Sequence, residues 1–150
     1  CVGYRVGSLL PPDIKSVYVP TFVNRTKEPL IEVETTRAAI TEFQKDGSLR
    51  IVSPEEADAI LDVTLNQYAL TPLSYDEQNR TSANEYRITL TASFILKRKS
   101  DGQVIAEAPA VQGESTFLVA GDFTSSKRRG LPDAAKDLAH DIVERVVEAW

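Results

Sequence analysis

Apolar and polar residues alternate in the middle of this chain. From Glu85 to Leu96 every second residue is apolar or aromatic, a period that predicts a strand with one buried and one exposed face. A shorter alternation runs from Leu61 to Asn66. The Asp101-Gly102 pair predicts a hairpin turn into a further strand from Val104 to Phe117, in which Pro109 marks a bulge or an edge. The pattern therefore predicts an antiparallel group of strands.

Two other segments carry apolar residues at helical spacing. The first follows Pro29 and stops before Gly47, a residue typical of the position after a helix. Its stripe consists of Val33, Thr36, Ile40 and Phe43. The second helix is predicted to begin with Pro132 in its first turn, where Asp133 complements the helix dipole, and to end at Trp150. Its stripe consists of Ala135, Leu138, Ile142, Val146 and Ala149.

A strand is also predicted before the first helix. Residues 15–24 are rich in β-branched and aromatic residues, and Pro20 places that strand at an edge or beside a bulge. The resulting fold class is α+β, a two-layer sandwich with both helices packed on one face of a mainly antiparallel four-stranded sheet. No Pro/Gly/Ser-rich linker divides the chain, which predicts a single domain over residues 1–150.

The sheet face opposite the helices is predicted to carry short polar side chains: Thr64, Asn66, Thr89, Thr91 and Ser93. One interpretation is an ordinary hydrated face of an antiparallel sheet. The other is a polar contact surface, such as a protein lodged in the lumen of a membrane barrel would need, because barrel interiors are polar.

Charge and composition exclude several functions. The 150 residues carry a net charge of −5, which disfavours a general nucleic-acid binder. His140 is the only histidine and stands among acidic residues, so we expect a solvent-facing side chain rather than a general base. One histidine and one cysteine at opposite ends leave no zinc set, and no phosphate loop is present. The sequence predicts no enzyme activity, no cofactor and no metal site.

The only cysteine is Cys1. A lone cysteine cannot form an intramolecular disulfide, and its terminal position favours lipidation, with several acyl chains giving firm membrane attachment. The alternatives are an artificial start of the chain or a free thiol. No apolar run approaches the length needed to cross a bilayer.

Three segments resemble the LptE family of lipopolysaccharide-assembly lipoproteins. Cys1-Val2-Gly3-Tyr4-Arg5 is similar to the family's lipidated start, with Val2 as an extra residue. Glu56-Ala57-Asp58-Ala59-Ile60-Leu61 resembles its Ala-Asp-x-x-Leu segment, and Asn84-Glu85-Tyr86-Arg87-Ile88 resembles its Ala-Glu-Tyr strand start, with Asn84 in place of alanine. The final helix is similar as well.

The resemblance implies a non-enzymatic partner of the large barrel protein LptD. Such a protein sits partly inside the barrel as a plug on the periplasmic face of the outer membrane, anchored through Cys1 at the start of an N-terminal segment, residues 1–14. It also implies lipopolysaccharide binding by basic residues in two loops, which here hold Arg80, Lys127, Arg128 and Arg129.

Charge alone adds a third basic candidate, Lys97-Arg98-Lys99 at the hairpin. Each basic cluster could equally be a solvated turn. An alternative function is a free-standing periplasmic lipoprotein that binds a small ligand or a peptidoglycan-related partner. A further alternative function is that of a domain that only scaffolds an envelope complex and does not touch lipid.

Overall fold

The computed structural model describes residues 10–75 and 83–148. In chain order the elements are β1 (Ser16–Tyr18), β2 (Val23–Asn24), α1 (Ile31–Asp46), β3 (Arg50–Ile51), β4 (Ala59–Tyr75), β5 (Ala83–Arg98), β6 (Val104–Leu118) and α2 (Phe123–Val147). The α+β class predicted from the sequence is confirmed.

In the described residues the sheet has six strands, so the predicted number of four is wrong, and the sheet is mixed, with short parallel pairs beside the long antiparallel ones. Its order is β3-β1-β4-β5-β6, with β2 pairing further along β4. The β4–β5 and β5–β6 pairs are antiparallel, whereas β1 and β2 both run parallel to β4, and β3 runs parallel to β1. The strands β2 and β3 contain two residues each, too few for an alternation to be seen in the sequence.

Pro20 divides the strand that was predicted over residues 15–24. The part before it is β1, which lies between β3 and β4, and the part after it is β2. Proline lacks the N–H that a sheet ladder needs, so the chain leaves the sheet at Pro20 and returns to the same side of β4.

Strand β4 is longer than the prediction of residues 61–66. The register with β5 shifts just after Leu65, and beyond this bulge the side chains of Tyr68 and Leu70 pack against the core. A bulge exchanges the two faces of a strand. A strict period of two therefore ends at residue 66, although the strand continues to Tyr75.

Helix α1 stops where Gly47 predicts, with the Gly47 N–H donating to the Phe43 carbonyl at 3.0 Å and a φ of +79°. It starts at Ile31, so Pro29 precedes the helix instead of lying in its first turn. The buried stripe is rotated from the predicted one and consists of Ile31, Thr35, Thr36, Ala39 and Phe43. Val33 is 46% exposed.

Helix α2 begins nine residues before the predicted first turn, at Phe123, and Pro132 lies inside it. The start is held by the ring of Phe123, whose centroid lies 5.2 Å from that of Tyr86 and 6.2 Å from that of Phe117. Aromatic packing of this kind stabilises beyond area burial. The apolar stripe of Ala135, Leu138, Ile142 and Val146 is buried as predicted.

Both helices contribute to one core with the inward residues of the sheet. Helix α2 packs on β6 and β5, and α1 packs on α2, β2 and β3. The alternation of β5 holds, since Ile88, Leu90 and Leu96 are fully buried. The hairpin prediction is confirmed too: Gly102 has a φ of +74°, and the register shift between Ala92 and Phe94 marks a bulge near Pro109.

Candidate binding surfaces

The first turns of α2 carry the basic residues that the sequence placed in a loop. The carboxylate of Asp122 caps the helix by accepting from the Ser125 N–H at 2.9 Å and the Ser125 hydroxyl at 2.7 Å. These hydrogen bonds hold the pKa of Asp122 below its usual value. Lys127, Arg128 and Arg129 therefore lie in the first turns of a capped helix and not in a loop.

The three basic side chains have different partners. Lys127 forms a 3.0 Å ion pair with Glu28 and lies 5.9 Å from the centroid of the Tyr68 ring. Arg129 donates to the Ala120 carbonyl and to the Ser126 hydroxyl, each at 3.1 Å, and so fastens the start of the helix. Arg128 is exposed and forms no hydrogen bond or ion pair with any residue in the described ranges. Among the three, Arg128 is the cation best placed to meet a ligand.

A groove with a volume of about 560 Å³ lies between the starts of the two helices and the edge of β4. Its apolar lining is Pro29, Leu30, Ile31, Val33, Tyr68 and Leu131. Its polar lining is Glu28, Glu34, Thr124, Lys127 and Arg128. Burial, with the nearby Glu28 carboxylate, raises the pKa of Tyr68 to about 12, so this phenol stays neutral. The groove can bind an apolar group beside a charged one.

The five predicted polar residues of the sheet are brought together on one face. Thr64 is opposite Ser93 in the β4–β5 register, and Asn66 donates to the Ser93 hydroxyl at 3.2 Å. Thr89 and Thr91 follow on β5, where the Gln112 amide of β6 lies 3.4 Å from the Thr91 hydroxyl. All five are exposed or half-buried. The result is a hydroxyl and amide surface across three strands, bordered by the 3.9 Å ion pair of Arg87 with Glu114.

The hairpin cluster has a structural role for two of its members. Arg98 forms a 2.9 Å ion pair with Asp13 and also contacts Asp101 and Gln103. The hydrogen bond from the Arg98 guanidinium is the main cause that holds the pKa of Asp13 below its usual value. Lys99 donates to the Pro54 carbonyl. The cluster lies at the opposite end of β5 from the start of α2, so it forms no joint surface with Arg128.

Asp58 was not predicted as a functional residue, yet one of its carboxylate oxygens organises the start of the sheet. It accepts from the Lys15 N–H at 2.9 Å and from the Ser16 N–H at 3.2 Å, and the Ser16 hydroxyl lies 3.2 Å away. The Asp58 N–H in turn donates to the Ser16 hydroxyl at 3.0 Å. This network fixes β1 beside β4.

Residues 14–149 match the family model of LptE, which is described as lipopolysaccharide-assembly. The chain belongs to the LptE family. LptE is a family of outer-membrane lipoproteins that are not enzymes. No curated protein matches the sequence.

Solved structures share the fold at low sequence identity. A protein of the DUF330 family from Xanthomonas campestris has 12% identity and a TM-score of 0.65, over 95% of this chain and 90% of that one. Lipoprotein B from Nitrosomonas europaea has 16% identity and a TM-score of 0.59, over 97% and 90%. A minor lipoprotein from Acinetobacter baumannii has 11% identity and a TM-score of 0.56, over 89% and 93%. These similarities concern the fold alone.

Two of the segments that resemble the LptE family can be located in the fold. The Ala57-Asp58 pair directly precedes β4, where Asp58 is hydrogen-bonded to Ser16 of β1, and Asn84 to Ile88 lies in β5. Cys1 and Arg80 lie outside the described residues. Neither helix of the described ranges is apolar and long enough to cross a membrane, and those ranges hold no group of three or more metal-ligating side chains.

The groove is the part of the site that sequence reasoning missed. Its residues come from the turn before α1, from β4 and from α2, and no local pattern links these segments. The early start of α2 did have a signal. Asp122 followed by Ser125 is a sequence typical of a helix N-terminus, and it precedes Pro132 by ten residues.

His140 is exposed, as the sequence predicts, and it links the two helices. Its Nδ1 lies 3.3 Å from Glu42 on α1 and its Nε2 lies 4.0 Å from Glu144 on α2. The hydrogen bond to Glu42 is the main cause that raises the pKa of His140 above its usual value. Because the side chain is 64% exposed, solvent screening keeps the effect on stability small.

We expect Glu42→Gln to lower the His140 pKa toward 6.5, its ordinary value. A raised pKa in the folded state stabilises the fold below the unfolded-state pKa, and this contribution disappears as the pH rises through the folded-state pKa. An NMR titration of the His140 ring measures the shift, with Glu144→Gln as the control that should move it less. An unchanged pKa in Glu42→Gln would show that the contact between the helices is not formed.

Proposed function

We propose that this LptE-family protein acts in lipopolysaccharide assembly as the non-enzymatic partner of an outer-membrane barrel of the LptD type, and that it binds the glycolipid through Arg128. The family match over residues 14–149 carries the proposal. Membrane attachment through a lipid on Cys1, on the periplasmic side of the outer membrane, is part of the same proposal.

The polar face of the sheet supports contact with a barrel lumen. Short hydroxyl and amide side chains such as Thr91 and Asn66 present both donors and acceptors, and the Ser93 hydroxyl already shares hydrogen bonds across strands. A polar lumen wall can replace the water on this face without leaving unpaired groups. The Arg87–Glu114 ion pair at the border of this face would be desolvated at a greater cost, so we place the barrel contact on the hydroxyl and amide side chains.

Arg128 supports contact with a glycolipid phosphate. Its guanidinium is exposed and stands in the second turn of α2, near the positive end of the helix dipole. Arginine offers phosphate two parallel N–H donors. Lys127 adds positive charge once Glu28 is displaced, whereas Arg129 is held by the Ala120 carbonyl. We therefore assign Arg128 the main contact and Lys127 a secondary one.

The test is lipopolysaccharide binding by the full-length lipidated protein, compared for Arg128→Glu and Arg37→Glu. Both arginines are exposed on a helix, so the two variants change net charge equally. We expect Arg128→Glu to weaken binding about tenfold or more, the loss of a charge-assisted hydrogen bond, and Arg37→Glu to leave it near the wild-type value. Equal affinities of the two variants would remove Arg128 from the site.

Copurification from detergent-solubilised envelopes tests the barrel partnership separately. We expect one large barrel protein at stoichiometric level with the wild type and with Arg128→Glu. A protein that emerges alone would favour the free-standing periplasmic lipoprotein. If the barrel protein copurified but the protein bound no glycolipid, the result would favour a domain that only scaffolds an envelope complex.

A further inference from the structure

The side of β4 that faces away from β5 is only partly paired. Residues Ala59 and Ile60 pair with β1, and Thr64 and Leu65 pair with β2. The row ends where the Arg25 N–H donates to the Leu65 carbonyl at 2.9 Å. From Asn66 to Leu73 no described residue pairs with this edge, while β5 continues to pair on the other side. Every second residue of this stretch therefore presents its backbone polar groups to the unpaired edge, the pattern that another extended backbone matches.

The other long edge of the sheet, on β6, is protected. The Glu114 N–H of β6 donates to the Asp137 carboxylate of α2 at 2.9 Å, and the Ser115 hydroxyl donates to the Gly130 carbonyl at 2.8 Å. Pro109 and a bulge interrupt the rest of β6. Helix cover, proline and bulges are the means by which proteins block edge pairing. Among the described residues no helix packs along residues 66–73. They include no charged side chain, and their one protective residue, Pro72, is near the end.

Leu30 lies beside this edge with an exposed side chain and a strained backbone conformation. It is 69% exposed and has a φ of +70°, a left-handed conformation that a leucine adopts at a cost in stability. It lines the groove together with Tyr68 of β4. The Leu30 carbonyl accepts from the Val33 N–H at 3.2 Å at the start of α1, but its side chain buries little area in the free protein and is available to a contact made on binding.

Charge defines one end of the open edge. Arg25 and Lys27 follow β2 directly, both are exposed, and neither forms an ion pair with another described residue. Glu28 in the same turn is paired with Lys127. A carboxylate at the start of an incoming segment would meet Arg25 and Lys27 where β2 ends.

We propose that the edge of β4 from Asn66 to Leu73 pairs with an extended segment of a partner polypeptide, which continues the row of β1 and β2. Apolar side chains at every second position of the segment enter the groove beside Leu30 and Tyr68. An acidic residue at one end lies against Arg25 and Lys27. Main-chain hydrogen bonds supply affinity in this mode, and pockets for alternate side chains supply specificity. The proposal does not depend on the glycolipid or barrel assignments above.

The probe is an acetylated nine-residue peptide with two N-terminal glutamates followed by alternating valine and threonine, added to the full-length protein. We expect saturable binding, with NMR shifts and amide-exchange protection concentrated in residues 66–73. Two further peptides carry N-methyl groups on every second amide, one on the odd-numbered and one on the even-numbered residues. One of them should bind about tenfold more weakly and the other much less so, because only one edge of the peptide faces β4. Absence of binding, or equal loss in both methylated peptides, would overturn the proposal. The proposal would also be overturned if dodecyl phosphate bound in this groove and the peptide did not bind. That result would indicate that the groove takes an amphiphile instead of a polypeptide.

Leu30→Gly gives a second test that unfolding cannot mimic. Glycine adopts a positive φ without strain, so we expect the variant to unfold at the same temperature as the wild type or higher, while the peptide binds several-fold more weakly. Leu118→Gly removes a leucine that is 66% exposed on β6 and should leave peptide binding unchanged. Equal binding by Leu30→Gly and the wild type would remove the groove from the proposed contact.

Discussion

Gly113→Ala should destabilise the protein by about 3 kcal/mol or more, because an added methyl group has no space between β6 and α2. A Cβ atom at this position would lie 2.2 Å from the Leu138 nitrogen, 2.5 Å from its Cα and 2.6 Å from the Ala134 carbonyl oxygen. These are backbone atoms of α2, so relief requires a shift of the helix away from the sheet. A urea unfolding curve measures the loss as a lower midpoint at unchanged slope.

Gly130→Ala is the matched control, on the helix side of the same contact. There a Cβ would lie 3.0 Å from the Phe117 Cδ1 and 3.2 Å from the Ile88 Cδ1. Those are side-chain atoms that can move by tenths of an ångström, and alanine favours a helix over glycine by up to about 1 kcal/mol. We expect a change within about 1 kcal/mol of the wild type. Equal stability of the two variants would mean that α2 packs more loosely on β6 than the structure describes.

The close approach at Gly113 also matters for the site. It brings α2 against β6 near the Glu114–Asp137 and Ser115–Gly130 hydrogen bonds. The contact holds α2 against the sheet, and Arg128 lies on the same helix. We therefore expect the position of the proposed glycolipid contact to depend in part on packing at a residue without a side chain.

Regular features of the fold could be predicted from the sequence, and irregular ones could not. The alternation in β5 and the Asp101-Gly102 turn are local signals, and both are confirmed. The second half of β4 escaped prediction because the bulge after Leu65 reverses which residues face inward. The start of α2 was placed too late because Pro132, a common first-turn residue, lies inside the helix.

The candidate site divides in the same way. The polar face could be predicted because it is the complement of an alternating apolar face, and Thr64 and Ser93 are indeed opposite each other. The groove could not, since Leu30, Tyr68 and Leu131 meet only through the tertiary fold. The run of positive charge in the sequence located Lys127, Arg128 and Arg129. It could not show that Lys127 pairs with Glu28 and that Arg129 bonds to the Ala120 carbonyl. Because Arg128 has no such partner among the described residues, we assign it to the ligand.

Asp58→Ala is expected to destabilise the protein by about 2–3 kcal/mol, through the loss of an acceptor shared by several donors. Ser16 is 1% exposed, so its N–H and hydroxyl would lose this partner in a place that water cannot easily reach. The Lys15 N–H would lose its acceptor as well. Since β1 pairs with both β3 and β4, we expect amide exchange to accelerate first in β1 and β3.

Asp58→Asn and Asp62→Ala separate this role from a general effect of charge. The asparagine keeps one amide oxygen able to accept from the Ser16 N–H, so its loss should be smaller than that of Asp58→Ala. Asp62 is exposed on β4 and forms no hydrogen bond with a described residue, so its removal should cost within about 0.5 kcal/mol. Thermal unfolding of the three variants gives the order. If Asp58→Ala and Asp62→Ala unfolded at the same temperature, the network at Ser16 would not hold the first strand. If Asp58→Ala alone is unstable, the Ala-Asp segment that resembles the LptE family has a structural role. It holds β1 beside β4, the strand whose far end borders the groove.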